Sequence, residues 1–332
     1  MYKFMLLLWL ALFITGCRNA AEPTLIGLSL PTQREERWVR DKEAMIAESE
    51  RLGLKLATRV SDNDAVLQIQ QSKELLDLGV NVLILAPHDA RSAATIVDMA
   101  HQRQVPVISY DRLVLDSKVD VYLSFDNWEV GRIQARYLAK SVPSGNYVVM
   151  SGSPTDNNSK MFYEGAMEIL QPKISKGEIN LIFDNPIRDW KPSEALRMMD
   201  MVLAKTSNFQ AILAPNDSTA RGIIAALEKQ DMAGRIPVTG QDGEIAAAKL
   251  IVEGKQSMTV FKDTRELGKA AIAIALRMNQ DQPIPGVTTT IHNGASFVPS
   301  VLLMPELVTK NNLDQVLINS GYIRHEDVYG AQ

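Results

Sequence analysis

The hexapeptide Ile84-Leu85-Ala86-Pro87-His88-Asp89 returns well over a hundred residues later as Ile212-Leu213-Ala214-Pro215-Asn216-Asp217. A second pair follows in the same order, Pro106-Val107-Ile108-Ser109-Tyr110-Asp111 and Pro237-Val238-Thr239-Gly240-Gln241-Asp242. Each copy starts as an apolar run and ends in an acid, so each reads as a strand that stops at a polar loop. A period this long signals a duplicated domain, because solenoid repeats recur every ~20 to 50 residues. Two similar lobes would each contribute loops at the carboxyl ends of their strands. Open parallel sheets bind ligands there, so facing lobes make one central cleft.

From Thr24 onward, short β-branched runs alternate with stretches of helical period, the pattern of an α/β fold with parallel sheets. Strands are expected at Leu25 to Leu30, Lys55 to Val60, Val80 to Ala86, Val105 to Tyr110, Val119 to Ser124, Tyr147 to Ser151, Asn180 to Phe183, Ala211 to Ala214, Pro237 to Gly240 and Ser257 to Phe261. Between them, Ala93-Ile96-Val97-Ala100, Ala220-Ile223-Ile224-Leu227 and Leu267-Ala270-Ala271-Ile274 place an apolar stripe on one helix face. The predicted architecture is two similar three-layer α/β lobes. A length of 332 residues, 46% apolar and 22% charged, fits about two soluble domains of ~150 residues each.

The N-terminus has its own logic. Lys3 precedes the apolar run Met5 to Ile14, then Thr15-Gly16-Cys17 and a polar stretch from Arg18, the layout of a secretory signal. The run is shorter than the ~20 apolar residues of a spanning helix. Ile14-Thr15-Gly16-Cys17 resembles the bacterial lipobox, whose cysteine is acylated and becomes the new N-terminus. Cys17 is the single cysteine of the chain, so no intramolecular disulfide and no cysteine-based zinc cluster can form. The alternative is a plain signal peptide cleaved near Ala20-Ala21. Either way the folded part is expected outside the cytoplasm, with residues 1–16 as signal and 17–23 as tether.

Several function classes find no support. A net charge of -4 gives no pull toward a polyanion, so nucleic acid is not an expected partner. The chain carries no P-loop, no glycine fingerprint after a strand and no HExxH. Gly152 between Ser151 and Ser153 is only one glycine. His88, His101, His292 and His325 form no i, i+4 pair, and no G-x-S-x-G nucleophile elbow occurs. No enzyme activity, catalytic residue, metal or cofactor is expected.

The strand ends instead offer groups suited to a neutral polyol. Asp111, Arg112, Asn216, Asp242 and Lys262 sit at strand-to-loop junctions. A carboxylate accepts from two adjacent hydroxyls, while Arg and Lys donate to hydroxyl and ring oxygens, and charge strengthens each bond. Trp38 and Trp190 could cover the apolar face of a pyranose, with core packing as the alternative for each. Asp111-Arg112 also reads as a simple salt bridge, and Asp89 and Asp217 read as helix N-caps.

Taken as a set, Arg34-x-Glu36-Arg37-Trp38, Tyr110-Asp111-Arg112, Ser124-Phe125-Asp126-Asn127, Gly152-Ser153-Pro154-x-Asp156-Asn157-Asn158, Asp189-Trp190, Asn216-Asp217, Gly240-Gln241-Asp242 and Phe261-Lys262 closely resemble the D-xylose-binding proteins of bacterial ABC importers. The likeness runs from about Leu25 to Tyr322. It implies a periplasmic-binding-protein type I fold, two lobes joined by three crossovers and closing over one monosaccharide. By motif position it implies sugar contacts from Arg37, Asp111 and Arg112 in one lobe. From the other it implies Asn158, Trp190, Asn216, Asp242 and Lys262, with Trp38 adjoining. Crossovers are expected near Ser124 to Asn127, Lys262 to Thr264, and Asn293. That gives an N-terminal lobe of 24–125 plus 263–292 and a C-terminal lobe of 126–262 plus 293–332. The sequence departs from the pattern at Phe261, often tyrosine in the family, and in carrying a lipobox.

The resulting expectation is a monomeric, lipid-anchored receptor that takes D-xylose or a close aldopentose by hinge closure and presents it to an ABC permease. A sensor subunit for a membrane kinase or chemoreceptor is the alternative within binding proteins. A transcriptional regulator of the same fold would need a helix-turn-helix where the apolar signal stands. A sugar kinase or isomerase would need a nucleotide loop or metal pair.

Overall fold

The computed structural model describes residues 23–330. The expected signal segment, Cys17 and the tether up to Glu22 lie outside the described residues. The first lobe opens with β1 (Leu25–Leu30), α1 (Glu36–Arg51), β2 (Lys55–Val60), α2 (Ala65–Asp77), β3 (Val82–Leu85), α3 (Ala94–Gln102), β4 (Val107–Tyr110) and β5 (Val121–Phe125). The chain then builds a second lobe from α4 (Asn127–Ser141), β6 (Gly145–Ser151), α5 (Asn157–Ser175), β7 (Ile179–Pro186), α6 (Pro192–Leu203), β8 (Ala211–Leu213), α7 (Asp217–Glu228), α8 (Ile245–Val252) and β9 (Thr259–Phe261). It returns with α9 (Thr264–Asn279), β10 (Thr289–His292) and β11 (Phe297–Leu303), and ends in the second lobe with β12 (Glu306–Val308) and α10 (His325–Tyr329).

Seven strands in the order β10-β11-β5-β4-β3-β1-β2 form the first sheet, parallel except for the β10–β11 hairpin. β3 reads Val-Leu-Ile-Leu and is buried throughout, because helices cover both faces and leave no polar side. On one face Ile84 and Ile108 pack with Trp38, Met45, Leu267 and Ala271 of α1 and α9. On the other, Leu83, Leu85 and Val107 meet Leu75, Ile96 and Val97 of α2 and α3.

In the second lobe β6 lies between β7 and β8, all parallel, and β9 pairs antiparallel with β12. The expected strand at Pro237 to Gly240 links the two pieces without becoming a full strand. Val238 bridges Ile212, Ile212 N–H donates to the Pro237 carbonyl, and Val260 N–H donates to the Gly240 carbonyl. Pro237 has no N–H to extend the ladder.

The lobe boundary expected at Asn293 is corrected. β11 pairs with β5 of the first sheet and β12 with β9 of the second, so the third crossover is Met304-Pro305 and residues 293–303 belong to the first lobe. Asn293 is a turn residue: its Nδ2 donates to the carbonyls of Val114 and Ser117, and its Oδ1 accepts from the N–H groups of Ala295 and Ser296. The other two passages each run from a strand through an aspartate cap into a helix. Asp126 accepts from Glu129 N–H at the start of α4, and Asp263 from Arg265 N–H at the start of α9.

Two further expectations change. The cap of α7 is Asn216, which accepts from Thr219 N–H in a capping box, not Asp217. Asp217 occupies the first helical position, and its carboxylate accepts from Glu244 N–H, Gln256 Nε2 and the Thr259 hydroxyl. Asp89 accepts from the N–H groups of Arg91 and Ser92 and so caps the turn before α3 rather than α3 itself.

The closest helix contact sets up the site. A Cβ on Gly131 of α4 would lie 1.9 Å from the Phe162 carbonyl oxygen, and one on Gly165 of α5 would lie 2.0 Å from that of Trp128. Glycine at both positions lets the two backbones touch, which fixes α5 and the Asn158 and Phe162 side chains it carries.

Candidate functional site

The second sequence echo becomes a structural one. Asp111 and Asp242 both adopt a left-handed backbone, with φ of 59° and 101°. Each donates its N–H to the neighbouring strand, Asp111 to Leu123 O at 2.8 Å and Asp242 to Val260 O at 2.8 Å. Such a conformation costs energy in a residue other than glycine and persists where the surroundings fix it. Its effect is to turn a carboxylate from each lobe into the space between them.

That space is a cavity of about 340 Å³, counting its mouth. Its wall is mostly charged and polar with three aromatic rings among it, the make-up of a site for a small hydrophilic ligand. All nine residues singled out from the sequence line it: Arg37, Trp38, Asp111, Arg112, Asn158, Trp190, Asn216, Asp242 and Lys262. Glu35, Asp156, Phe162 and Gln241 complete the wall and were not among them. Asp156 and Gln241 stood inside quoted motifs, Glu35 was the unassigned x beside Arg34, and Phe162 is one helical turn beyond Asn158 on α5.

Arg37 is the hub. Its guanidinium meets Asp111 at 2.8 Å, Asp41 at 3.0 Å and Asp242 of the opposite lobe at 3.8 Å. Asp41 is in turn held by the Tyr110 hydroxyl. Arg112 pairs across the cleft with Asp156 at 2.8 Å, and Lys262 Nζ lies 2.9 Å from Asp242. Asn158 donates to the Asp111 carbonyl at 2.9 Å, again between lobes. At the rim Ala90 N–H reaches Thr155 O at 3.0 Å and Arg34 reaches Asp189 O at 2.6 Å, so the lobes are closed on each other.

The tryptophans serve different ends. Trp38 is 2% exposed and sits in the core, with the Arg37 and Arg112 guanidiniums 4.5 and 5.1 Å from its ring centroid. It is a platform that holds two cations in place. Trp190 is wedged: its Nε1–H donates to Asp156 at 3.1 Å and its ring meets Phe162 edge-on at 6.4 Å. Asn216 uses its Oδ1 for the α7 cap, which leaves its NH2 as the group open to a ligand.

Burial alone would raise Asp111, but Arg37, Lys262 and Arg112 outweigh it and hold its carboxyl below the ordinary range, so it is a charged acceptor. Burial raises Asp156, with Arg112 opposing. Behind the cavity, burial and the neighbouring acids Asp217 and Asp242 push Glu244 up to about 9, and burial and Asp242 push Asp217 up to about 7. Both groups hold a proton in the folded state at pH values where the unfolded chain has lost it. Stability therefore falls as pH rises from about 4 through these values. In Glu244→Gln, the urea midpoint is expected to fall less between about pH 5 and 9, with a gain of at least about 1 kcal/mol at the alkaline end. An undiminished fall in the variant would remove Glu244 as its source.

Two α/β lobes joined by three crossovers and closed over one charged cavity at their strand ends define a two-lobed binding protein of the type I fold. The chain belongs to the periplasmic binding protein domain family, which matches residues 26–282. It is 36% identical over 327 residues to the D-xylose-binding periplasmic protein of Escherichia coli (strain K12), covering 98% of this chain and 99% of that one. It is also 36% identical over 305 residues to the protein of the same name from Haemophilus influenzae, covering 92% of each. Among solved structures it resembles an ABC transporter solute-binding protein from Clostridium phytofermentans with bound β-D-glucose. That match has a TM-score of 0.87 at 30% identity, over 92% of this chain and all of that one.

Proposed function

We propose that this chain is a lipid-anchored extracytoplasmic receptor, monomeric, that captures D-xylose or a close aldopentose between its lobes and delivers it unchanged to an ABC permease. The observation that carries the reading is the cavity's surplus of buried acceptors. Asp111 Oδ1 and Asp242 Oδ1 meet cations but accept no well-aligned hydrogen bond, and Glu35 Oε2 and Gln241 Oε1 accept none among the described residues. A buried acceptor without a donor costs about 1–3 kcal/mol, so the natural ligand is one that brings several donors, which is what a polyhydroxylated ring does. Arg37, Arg112 and Lys262 supply donors for its oxygens.

A ring bonded to Asp111 and Arg112 on one side and to Asn216, Asp242 and Lys262 on the other favours the closed state by its greater affinity for it. A membrane partner that reads closed protein then responds to sugar. Xylose as the particular sugar is supported by the motif set and by the names of the two relatives. Asp111→Ala and Asp242→Ala are each expected to weaken xylose binding by ~1.5–3 kcal/mol, the scale of hydrogen bonds to charged groups. Unchanged calorimetric affinity in both variants would take them out of the site.

Anchoring rests on Ile14-Thr15-Gly16-Cys17. The mature N-terminal peptide is expected to begin at Cys17 and to carry acyl chains by mass spectrometry, and Cys17→Ser to lose them. An unacylated start near Ala20 would leave a plain secretory signal.

A further inference from the structure

Glu36 stands inside the motif Arg34-x-Glu36-Arg37-Trp38, yet it is not among the described residues that line the cavity. Its Oε1 accepts from the Arg40 guanidinium one turn along α1, with Nε at 2.7 Å. Its Oε2 accepts from Ile245 N–H at 3.1 Å. Ile245 is the first residue of α8, in the opposite lobe, and Glu244 at the N-cap of that helix makes no cap hydrogen bond with its own side chain. A helix start leaves N–H groups without intrahelical partners and favours a carboxylate beside them. For α8 that carboxylate arrives from across the cleft. Arg40 makes a second crossing: it donates to Tyr322 O at 2.6 Å, and its guanidinium lies 4.4 Å from the Tyr322 ring centroid. Tyr322 packs in one hydrophobic cluster with Ala248 and Ile251 of α8, so both crossings grip the same packed unit of the second lobe.

We infer that Glu36 is a positioning residue for sugar capture: by capping α8 from the opposite lobe it latches the closed form and sets affinity without touching the ligand. The inference rests on the reading of the cavity as a sugar site closed by hinge motion. The cap bond joins the two lobes, so it belongs to the closed form and is lost as they part. Its free energy therefore adds to the closed side of the equilibrium alone, which is the condition for shifting that equilibrium. Arg40 holds the second carboxylate oxygen and so fixes the direction of the first. Sugar enters before the lobes meet and leaves after they part. The latch accordingly slows dissociation and leaves association unchanged.

Stopped-flow tryptophan fluorescence of the purified protein with D-xylose, alongside thermal melts with and without the sugar, tests this. In Glu36→Ala the dissociation rate is expected to rise about tenfold, the scale of losing a helix cap, with the association rate unchanged. Glu36→Gln keeps an acceptor for the Ile245 N–H, so its dissociation rate is expected to stay within about threefold of the parent's. Without sugar, both variants are expected to melt within about 2 °C of the parent, because the open form has no latch to lose. The inference is overturned if both variants release xylose at the parental rate, if association slows as much as dissociation quickens, or if the sugar-free melting temperature falls as far as that of the sugar-bound protein. A parent that takes up no D-xylose would instead overturn the proposed function, and the latch with it.

Discussion

Arg37→Met is expected to abolish sugar capture and to cost the protein about 3–5 kcal/mol of stability, the range for removing one partner of a buried ion pair. Methionine keeps much of the packed stem but removes the charge that Asp41, Asp111 and Asp242 share. Three buried carboxylates would then face one another with Lys262 and Arg112 as the remaining cations nearby. Part of the penalty is titratable. Burial, opposed by Arg37, already lifts Asp41 to about 6, and without the guanidinium it rises further, so protonation relieves the strain as pH falls. Urea midpoints measured at about pH 5 and 8 should show a smaller deficit at the lower value. A variant within about 1 kcal/mol of the parent at both would mean that the carboxylates do not depend on this cation.

Gly152→Ala should weaken sugar binding by about 10- to 100-fold, from overpacking of about 1–3 kcal/mol concentrated on one side chain. The added Cβ would fall 2.0 Å from the Trp190 ring. The ring has little freedom to retreat, since Asp156 holds its Nε1 and Phe162 abuts it. Its backbone is also committed: Asp189 and Trp190 both have positive φ, 53° and 55°, a costly arrangement for two residues with side chains. Moving the ring therefore disturbs the cavity wall, the Asp156 hydrogen bond and, through Asp156, the Arg112 bridge. Binding by calorimetry and the near-ultraviolet tryptophan signal report the two ends of this chain of effects. Unchanged affinity with an unchanged signal would show that the wall relaxes around the methyl group.

Much of this arrangement is legible in the sequence because duplication writes it twice. The pair ending in Asp111 and Asp242 marks equivalent strand ends in two lobes, and the shared left-handed turn explains why both keep an acid there. The buried strands are equally plain, since Val-Leu-Ile-Leu at 82–85 can sit only between two helical layers. What the pattern hides follows from departures from regular periods. Because the chain turns sharply at Asp242, consecutive residues Gln241 and Asp242 both reach the cavity, whereas strand alternation would send them apart. Glu35 stands at a position where the local rule prefers Ser, Thr, Asp or Asn as a cap, so its partnership with Arg34 emerges only in three dimensions. β11 contains Pro299 and alternates exposed and buried residues over its first half, which weakens its strand signature and hides the crossover at Met304-Pro305. Asn216 and Asp217 are both good N-caps, and only the hydrogen bonds from Gln256 and Thr259 show why the aspartate is turned elsewhere.

The central claim is that the paired acids and bases between the lobes receive a monosaccharide. Isothermal calorimetry of the purified protein against xylose, ribose, arabinose, glucose and galactose tests it most directly, with thermal shift as a parallel readout, since ligand at about 100 times its dissociation constant adds ~2.7 kcal/mol of stability. The account predicts saturable binding of xylose with one site per chain, tighter than that of ribose or arabinose. No heat and no shift across the whole panel would contradict it.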